Sequence, residues 1–288
     1  MAKRQKAIGK CLLTGHVGPF AQSHLIPRFL ADKALGQAHR IQFGFGSKPQ
    51  LKFNSWVDGR ICTAVGEARL RDIDTAAAKI IRQHGLTWRH YPLSNKAERH
   101  NFGDEFELIT IPDVDTSALR LFFLSLLWRS AISTRFEFAE IFLDAVSNEH
   151  LRKIVAGEEK PADSDWPVVL VALTEAGEPQ VHTPLAQVIN TPEHEGTKYP
   201  DIPIFRFFLD GLIVHMGRKF GDVELLDAWS PKRVVGLDSS LILIGRPYEG
   251  SAQKSNLTYL QNKLHREYPE DAARIYSTLW KIDIKAQP

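Results

Sequence analysis

The sequence predicts an α+β protein in two parts: a small basic N-terminal domain, residues 1–100, and a larger acidic domain, residues 101–288, of helices followed by a mostly antiparallel sheet. Three observations predict it. Apolar periodicity turns strongly helical near residue 116 and then strand-like beyond Pro161. Charge divides at the same seam: residues 1–100 hold 17 Lys and Arg against 6 Asp and Glu, a balance of +11, whereas residues 101–288 balance at −9. Between them, "HNFGDEFELITIPDVDTSALRLF" (100–122) carries the turn formers of a boundary.

Each element has its own signal. Lys10–Thr14 and Ile41–Phe45 read as short extended pieces, the second because Ile41, Phe43 and Phe45 alternate with polar or glycine positions. Leu25–Ala34 reads as a helix. Over Gly66–His84, Leu70, Ile73, Ala77, Ile80 and Ile81 fall on one helical face, and Gly85 stands where a C-cap glycine would. Thr116–Ser133 is apolar nearly all round, with Asp115 or Thr116 as N-cap, the pattern of a core helix. Phe136–Ala145 and Asn148–Val155 continue helical. "VVLVAL" (168–173), "PIFRFFLDGLIVHM" (203–216) and "LILIG" (241–245) read as strands, the second folding back at Asp210-Gly211, a hairpin signal. Helices around Leu257–Arg266 and Asp271–Leu279 close the chain.

Composition narrows the function. With 43% hydrophobic and 24% charged residues over 288 positions, the chain is globular and long enough to bury a sizeable core. Two cysteines make no disulfide framework, and Met1–Lys10 is basic without an apolar run behind it, so no secretory signal is expected. The longest apolar stretch, Leu119–Leu127, is interrupted by Arg120 and Ser125 and is too short for a membrane span. These features predict a soluble, cytoplasmic protein without a membrane partner. A field as positive as that of residues 1–100 favours a polyanion, because each neutralised phosphate releases counterions. The alternative is that the basic part docks on the acidic part of its own chain, or that the acidic part takes a protein partner. Nucleotide-loop and G-x-S-x-G signatures are absent. His182 and His215 lie in strand-like runs, and His194 sits between Glu193 and Glu195 in a loop; these read as structural or solvated residues.

The residues that could carry chemistry lie in residues 10–74. Cys11 and Cys62 stand fifty-one positions apart, Thr14 takes the place of a second knuckle cysteine, and Gly66 follows Cys62 after three residues. Between them lies "SHLIPRFL" (23–30), and after them "ICTAVGEARLRDID" (61–74). This pattern, with "FFLSLLWRSAIS" (122–133), resembles HNH-type (ββα-metal) proteins, in particular a branch of uncharacterised bacterial proteins. In that group a C-x-x-C precedes a Ser/Glu-His-Ile-Ile-Pro segment, and a second C-x-x-C-Glu or C-x-x-C-Asn opens the metal helix.

The resemblance implies a ββα-metal-like fold for the basic domain and a metal-dependent nuclease that cleaves or nicks DNA, with a role in defence against foreign DNA as its context. It implies His24 as the general base, an imidazole whose ordinary pKa suits the task. Glu67 and Asp74, nearly two turns apart on one helix face, would hold Mg²⁺ or Mn²⁺. Arg28, Arg69 and Arg71 would contact phosphates. With both second cysteines replaced, Cys11 and Cys62 read as a knuckle remnant, and structural zinc is not expected. The alternative reading is an inactive nucleic-acid-binding or protein-interaction module derived from such a finger.

Overall fold

The structure, a computed structural model, describes residues 7–30, 40–44, 47–52, 55–103, 106–177, 179–190 and 200–283. In chain order the strands and helices are β1 (Ile8–Lys10), β2 (Val17–Pro19), β3 (Ser23–His24), β4 (Arg40–Gly44), β5 (Ser47–Lys52), β6 (Val57–Asp58), α1 (Ala64–His84), β7 (Glu98–Phe102), β8 (Phe106–Ile111), α2 (Thr116–Ile132) and α3 (Ala145–Ala156). There follow β9 (Val168–Leu173), β10 (Leu185–Ile189), β11 (Ile202–Leu209), β12 (Leu212–Gly217), α4 (Val223–Trp229), β13 (Leu241–Arg246), α5 (Ala252–Glu267) and α6 (Pro269–Asp283). The fold is α+β. One seven-stranded sheet, ordered β10-β11-β12-β9-β13-β8-β7, is antiparallel except for the β9–β13 pair. Three small two-stranded sheets belong to the first sixty residues.

The large sheet is covered on both faces, which explains why β9 is buried at all six positions. Leu170, Ala172, Phe205, Phe207, Val214 and Leu243 point into the main core beneath the helices. Val171, Phe208 and Ile213, displaced by one residue, point the other way onto Trp88 and Tyr248. α2 contacts both α1 and α3 and is buried nearly all round, with Leu119, Phe122, Phe123, Leu124, Leu126 and Leu127 fully enclosed. The main core runs without a break from Cys11 and Leu25 through α1 and α2 to the sheet. Strands β7 and β8, at the start of the compositional seam, join that sheet through the β8–β13 pairing.

Several local expectations change. After β1 the chain turns instead of extending to Thr14, with the Gly15 N–H bonded to the Cys11 carbonyl at 2.9 Å. Of the expected helix over Leu25–Ala34, residues 25–30 form only a single 3₁₀ turn at Arg28–Leu30, and 31–34 lie outside the described residues. Phe43 and Phe45 likewise carry no described side-chain environment. The chain between α2 and α3 is not helical beyond a 3₁₀ turn at Phe136–Phe138. Phe138, Ile141 and Leu143 there are buried at irregular spacing, and Asp144 starts a new helix by accepting from the Val146 and Ser147 N–H groups. The Asp210-Gly211 turn is a hairpin as expected, both residues at positive φ (55° and 90°). His194, Glu193 and Glu195 lie outside the described residues. Among the described residues no helix is long and apolar enough to cross a membrane.

Candidate nucleic-acid interface and the Arg129 clamp

Two short strands and a helix frame the predicted site. Ser23 and His24 of β3 pair with Asp58 and Val57 of β6, and the Leu25 N–H extends the pairing to the Trp56 carbonyl at 2.9 Å. The chain then passes Cys62 and Thr63 and enters α1, whose C-terminal end is closed by Gly85 in the left-handed region (φ 64°). This is a ββα arrangement with His24 on a strand and Glu67 and Asp74 on the helix.

Glu67, in the first turn of α1, accepts a hydrogen bond from the Ser23 hydroxyl at 2.7 Å. Burial pushes its carboxyl above the ordinary carboxylate range, and the Ser23 bond and the Arg129 charge only partly oppose that. Asp74 is held differently. The Arg129 guanidinium donates to both of its oxygens, Nη1 to Oδ2 at 3.0 Å and Nη2 to Oδ1 at 2.6 Å. Arg129 also donates from Nη1 to the His24 carbonyl (3.1 Å), from Nε to the Ser125 carbonyl (3.2 Å) and from Nη2 to the Ser125 hydroxyl (2.8 Å). A guanidinium has five N–H donors, and here five bonds use them. Its side chain is 1% exposed. One residue of α2 therefore fastens α1 and β3 together, and "LSLLWR" reads as the carrier of that fastener: Ser125 and Arg129 are four apart and share a face.

These contacts decide how the predicted cation site fits. Both Asp74 oxygens serve a buried guanidinium, and Glu67 is engaged by the Ser23 hydroxyl. Such a pair is a poor donor set for Mg²⁺ or Mn²⁺, which take ionised, accessible carboxylate oxygens. Among the described residues no three His, Cys, Asp or Glu side chains are grouped to hold a metal ion. The residues present do not fit the cation that the resemblance implies.

The two cysteines do meet. Cys11 and Cys62, 1% and 0% exposed, are free thiols against Gly66, whose added Cβ would lie 2.5 Å from the Cys11 Sγ and 3.1 Å from the Cys62 Sγ. Hydrogen bonding from Cys62 lowers the Cys11 pKa, and the same bond, with burial, raises that of Cys62.

The predicted phosphate contacts separate. Arg28 and Arg71 are exposed. Arg69 is half-buried and donates from Nε to the Val155 carbonyl at 3.0 Å, at the C-terminal end of α3, where a cation also meets the negative pole of the helix. Arg69 is thus turned inward while Arg71 faces solvent, since residues two apart project to opposite sides of a helix. Lys79 and Arg82 are exposed with Arg71 on α1, all within about 80° of one face. The Arg82 guanidinium lies over the Phe29 ring, 5.8 Å from its centroid, so the stripe reaches the neighbourhood of Arg28. Sequence reading missed Lys79, Arg82 and Arg129. Helical periodicity on the exposed face could have found the first two, and a charge inside an all-round apolar helix could have found the third. A polar cleft of about 300 Å³, lined by Asp58, Arg60, Thr134 and Arg135, opens beside β6.

No family model, curated protein or solved structure matches the chain.

Proposed function

We propose that this chain is a nucleic-acid-binding protein in which the β3–β6–α1 unit is a fixed scaffold for a basic face. The observation that carries the reading is Arg129: it consumes Asp74, holds the His24 carbonyl and leaves the acidic pair serving the fold. The excess of +11 over residues 1–100 supplies the attraction, and Arg71, Lys79, Arg82 and Arg28 supply exposed contacts. From Arg71 to Arg82 the helix advances about 17 Å, which matches about five phosphates along one strand at 3.4 Å each. Contacts of this kind position a backbone without reading its sequence.

The competing reading is the metal-dependent DNA nuclease with His24 as general base. Plasmid incubation with Mg²⁺ or Mn²⁺, comparing the wild type with His24→Ala, separates the two. The expected result is that both proteins retard the plasmid on a gel and neither nicks it. Nicking by the wild type that disappears in His24→Ala would restore the nuclease reading, and failure to retard any nucleic acid would remove both.

A further inference from the structure

On the second face of the sheet the half-buried Arg206 guanidinium has no acidic partner among the described residues. On β11 and β12, Arg206 and His215 are cross-strand neighbours, with Leu185 of β10 and Val169 of β9 continuing the same row. Row members directly opposite one another across adjacent strands share a face. Among the described residues Arg206 has no carboxylate within ion-pair distance; its side-chain partner is Gln253, reached by Nη2 at 2.6 Å. Burial lowers the pKa of this guanidinium, and no acid among the described residues opposes that.

The rest of the arrangement is directional. Gln253, 2% exposed near the start of α5, accepts from Arg206 through Oε1 and turns Nε2 toward His182 Nδ1 at 3.2 Å. Gln253 Nε2 can only donate, so His182 Nδ1 accepts and the His182 proton resides on Nε2, which donates to Gln180 Oε1 at 2.9 Å. The His182 ring is fixed against Phe208 at 4.9 Å between centroids. Three side chains from two parts of the sequence, Gln253, His182 and Gln180, thus hold one N–H of Arg206 in place. Arg206 and His215 are each half-buried, so both retain some surface toward solvent. Both imidazoles are pushed down to about 4 by burial, with Arg206 adding to the effect, so at neutral pH Arg206 bears the charge of the group alone.

A half-buried charge without a counter-charge gives up part of its hydration with nothing in return. A guanidinium held by a neutral amide chain beside a neutral imidazole is a preorganised receptor for an oxyanion, which would take the remaining guanidinium N–H groups and a ring N–H of His215. We propose that Arg206 and His215, oriented through Gln253, His182 and Gln180, form a binding site for a single oxyanion group, a phosphate or a carboxylate. The site is on the opposite sheet face from the main core and does not depend on the nucleic-acid reading.

The test is a titration of the full-length protein with inorganic phosphate and, separately, acetate, at constant ionic strength set by chloride. The imidazole ¹⁵N resonances of His182 and His215 are followed by NMR. Saturable shifts at His215 are expected with at least one anion and are lost in Arg206→Met; in His215→Phe the shift followed at His182 saturates only at higher anion concentration. Saturation by phosphate alone assigns the site to phosphates, and saturation by acetate alone assigns it to carboxylates. Linear, non-saturating shifts equal to those with chloride would overturn the proposal. If Arg206→Met does not fold, Gln253→Leu, which removes the orienting amide and keeps the charge, must weaken binding in its place; unchanged affinity there overturns it equally.

Discussion

Arg129 is buried with five acceptors around it, and only one of its partners, Asp74, carries a charge. The desolvation cost of the guanidinium is offset while that carboxylate stays ionised. Asp74→Asn keeps the shape and removes the charge, so it should destabilise the protein by on the order of 3 kcal/mol, read as a lower urea midpoint. A carboxylate kept for a cation predicts the opposite sign, because its removal in metal-free buffer relieves repulsion with Glu67. At this scale the sequence shows the right neighbours and hides their purpose. His24, Glu67 and Asp74 are singled out by the resemblance alone, and the structure places them on β3 and α1. Arg129 stands out only as a charge in an all-round apolar helix, and no local pattern names its acceptor fifty-five residues away. The same blindness applies to Arg69, whose inward turn depends on where α3 ends.

The start of α1 is closely packed against the two thiols. Gly66 lies in its first turn against both thiols, and a methyl group there would sit 2.5 Å from the Cys11 sulfur. Gly66→Ala gains helix propensity yet must displace two buried side chains, so it should destabilise by roughly 1–3 kcal/mol, measured by thermal or urea unfolding. Gly66→Ala combined with Cys11→Ala should recover much of the loss, because the clash is removed with the sulfur. α1 and α2 are both evident from periodicity and end within two residues of their expected bounds. The segment after α2 misleads because Phe136, Phe138, Ile141 and Leu143 are apolar enough to imitate a helix. Their burial follows an irregular path, and the new start at Asp144 is a capping event. Single turns such as Arg28–Leu30 are equally hard to foresee, since one 3₁₀ turn and the first turn of a helix share their residue preferences.

Across the whole molecule, one core joins the basic and acidic parts, and the charge asymmetry is a property of the surface laid over it. The α+β class and the hairpin at Asp210-Gly211 are legible in the sequence; the parallel β9–β13 pairing is not, because strand order is fixed by contacts far apart in the chain. Burial of His182 and His215 makes stability depend on acidity. Their folded pKa values, about 4, lie below the ordinary 6.5, so between these limits the unfolded chain binds more protons. Stability is then full above about pH 6.5 and declines as the pH falls toward 4. Urea midpoints measured across that window should fall in the wild type and fall less in the double variant His182→Gln/His215→Gln. The central claim, a nucleic-acid face on a fixed scaffold, is tested most directly by the salt dependence of binding to a duplex oligonucleotide. Fluorescence anisotropy should give a linear fall of log K with log salt, and the triple variant Arg71→Ala/Lys79→Ala/Arg82→Ala should reduce the slope by roughly 2 to 3 while keeping the unfolding midpoint. A slope unchanged by the triple substitution, or no binding at low salt, would contradict it.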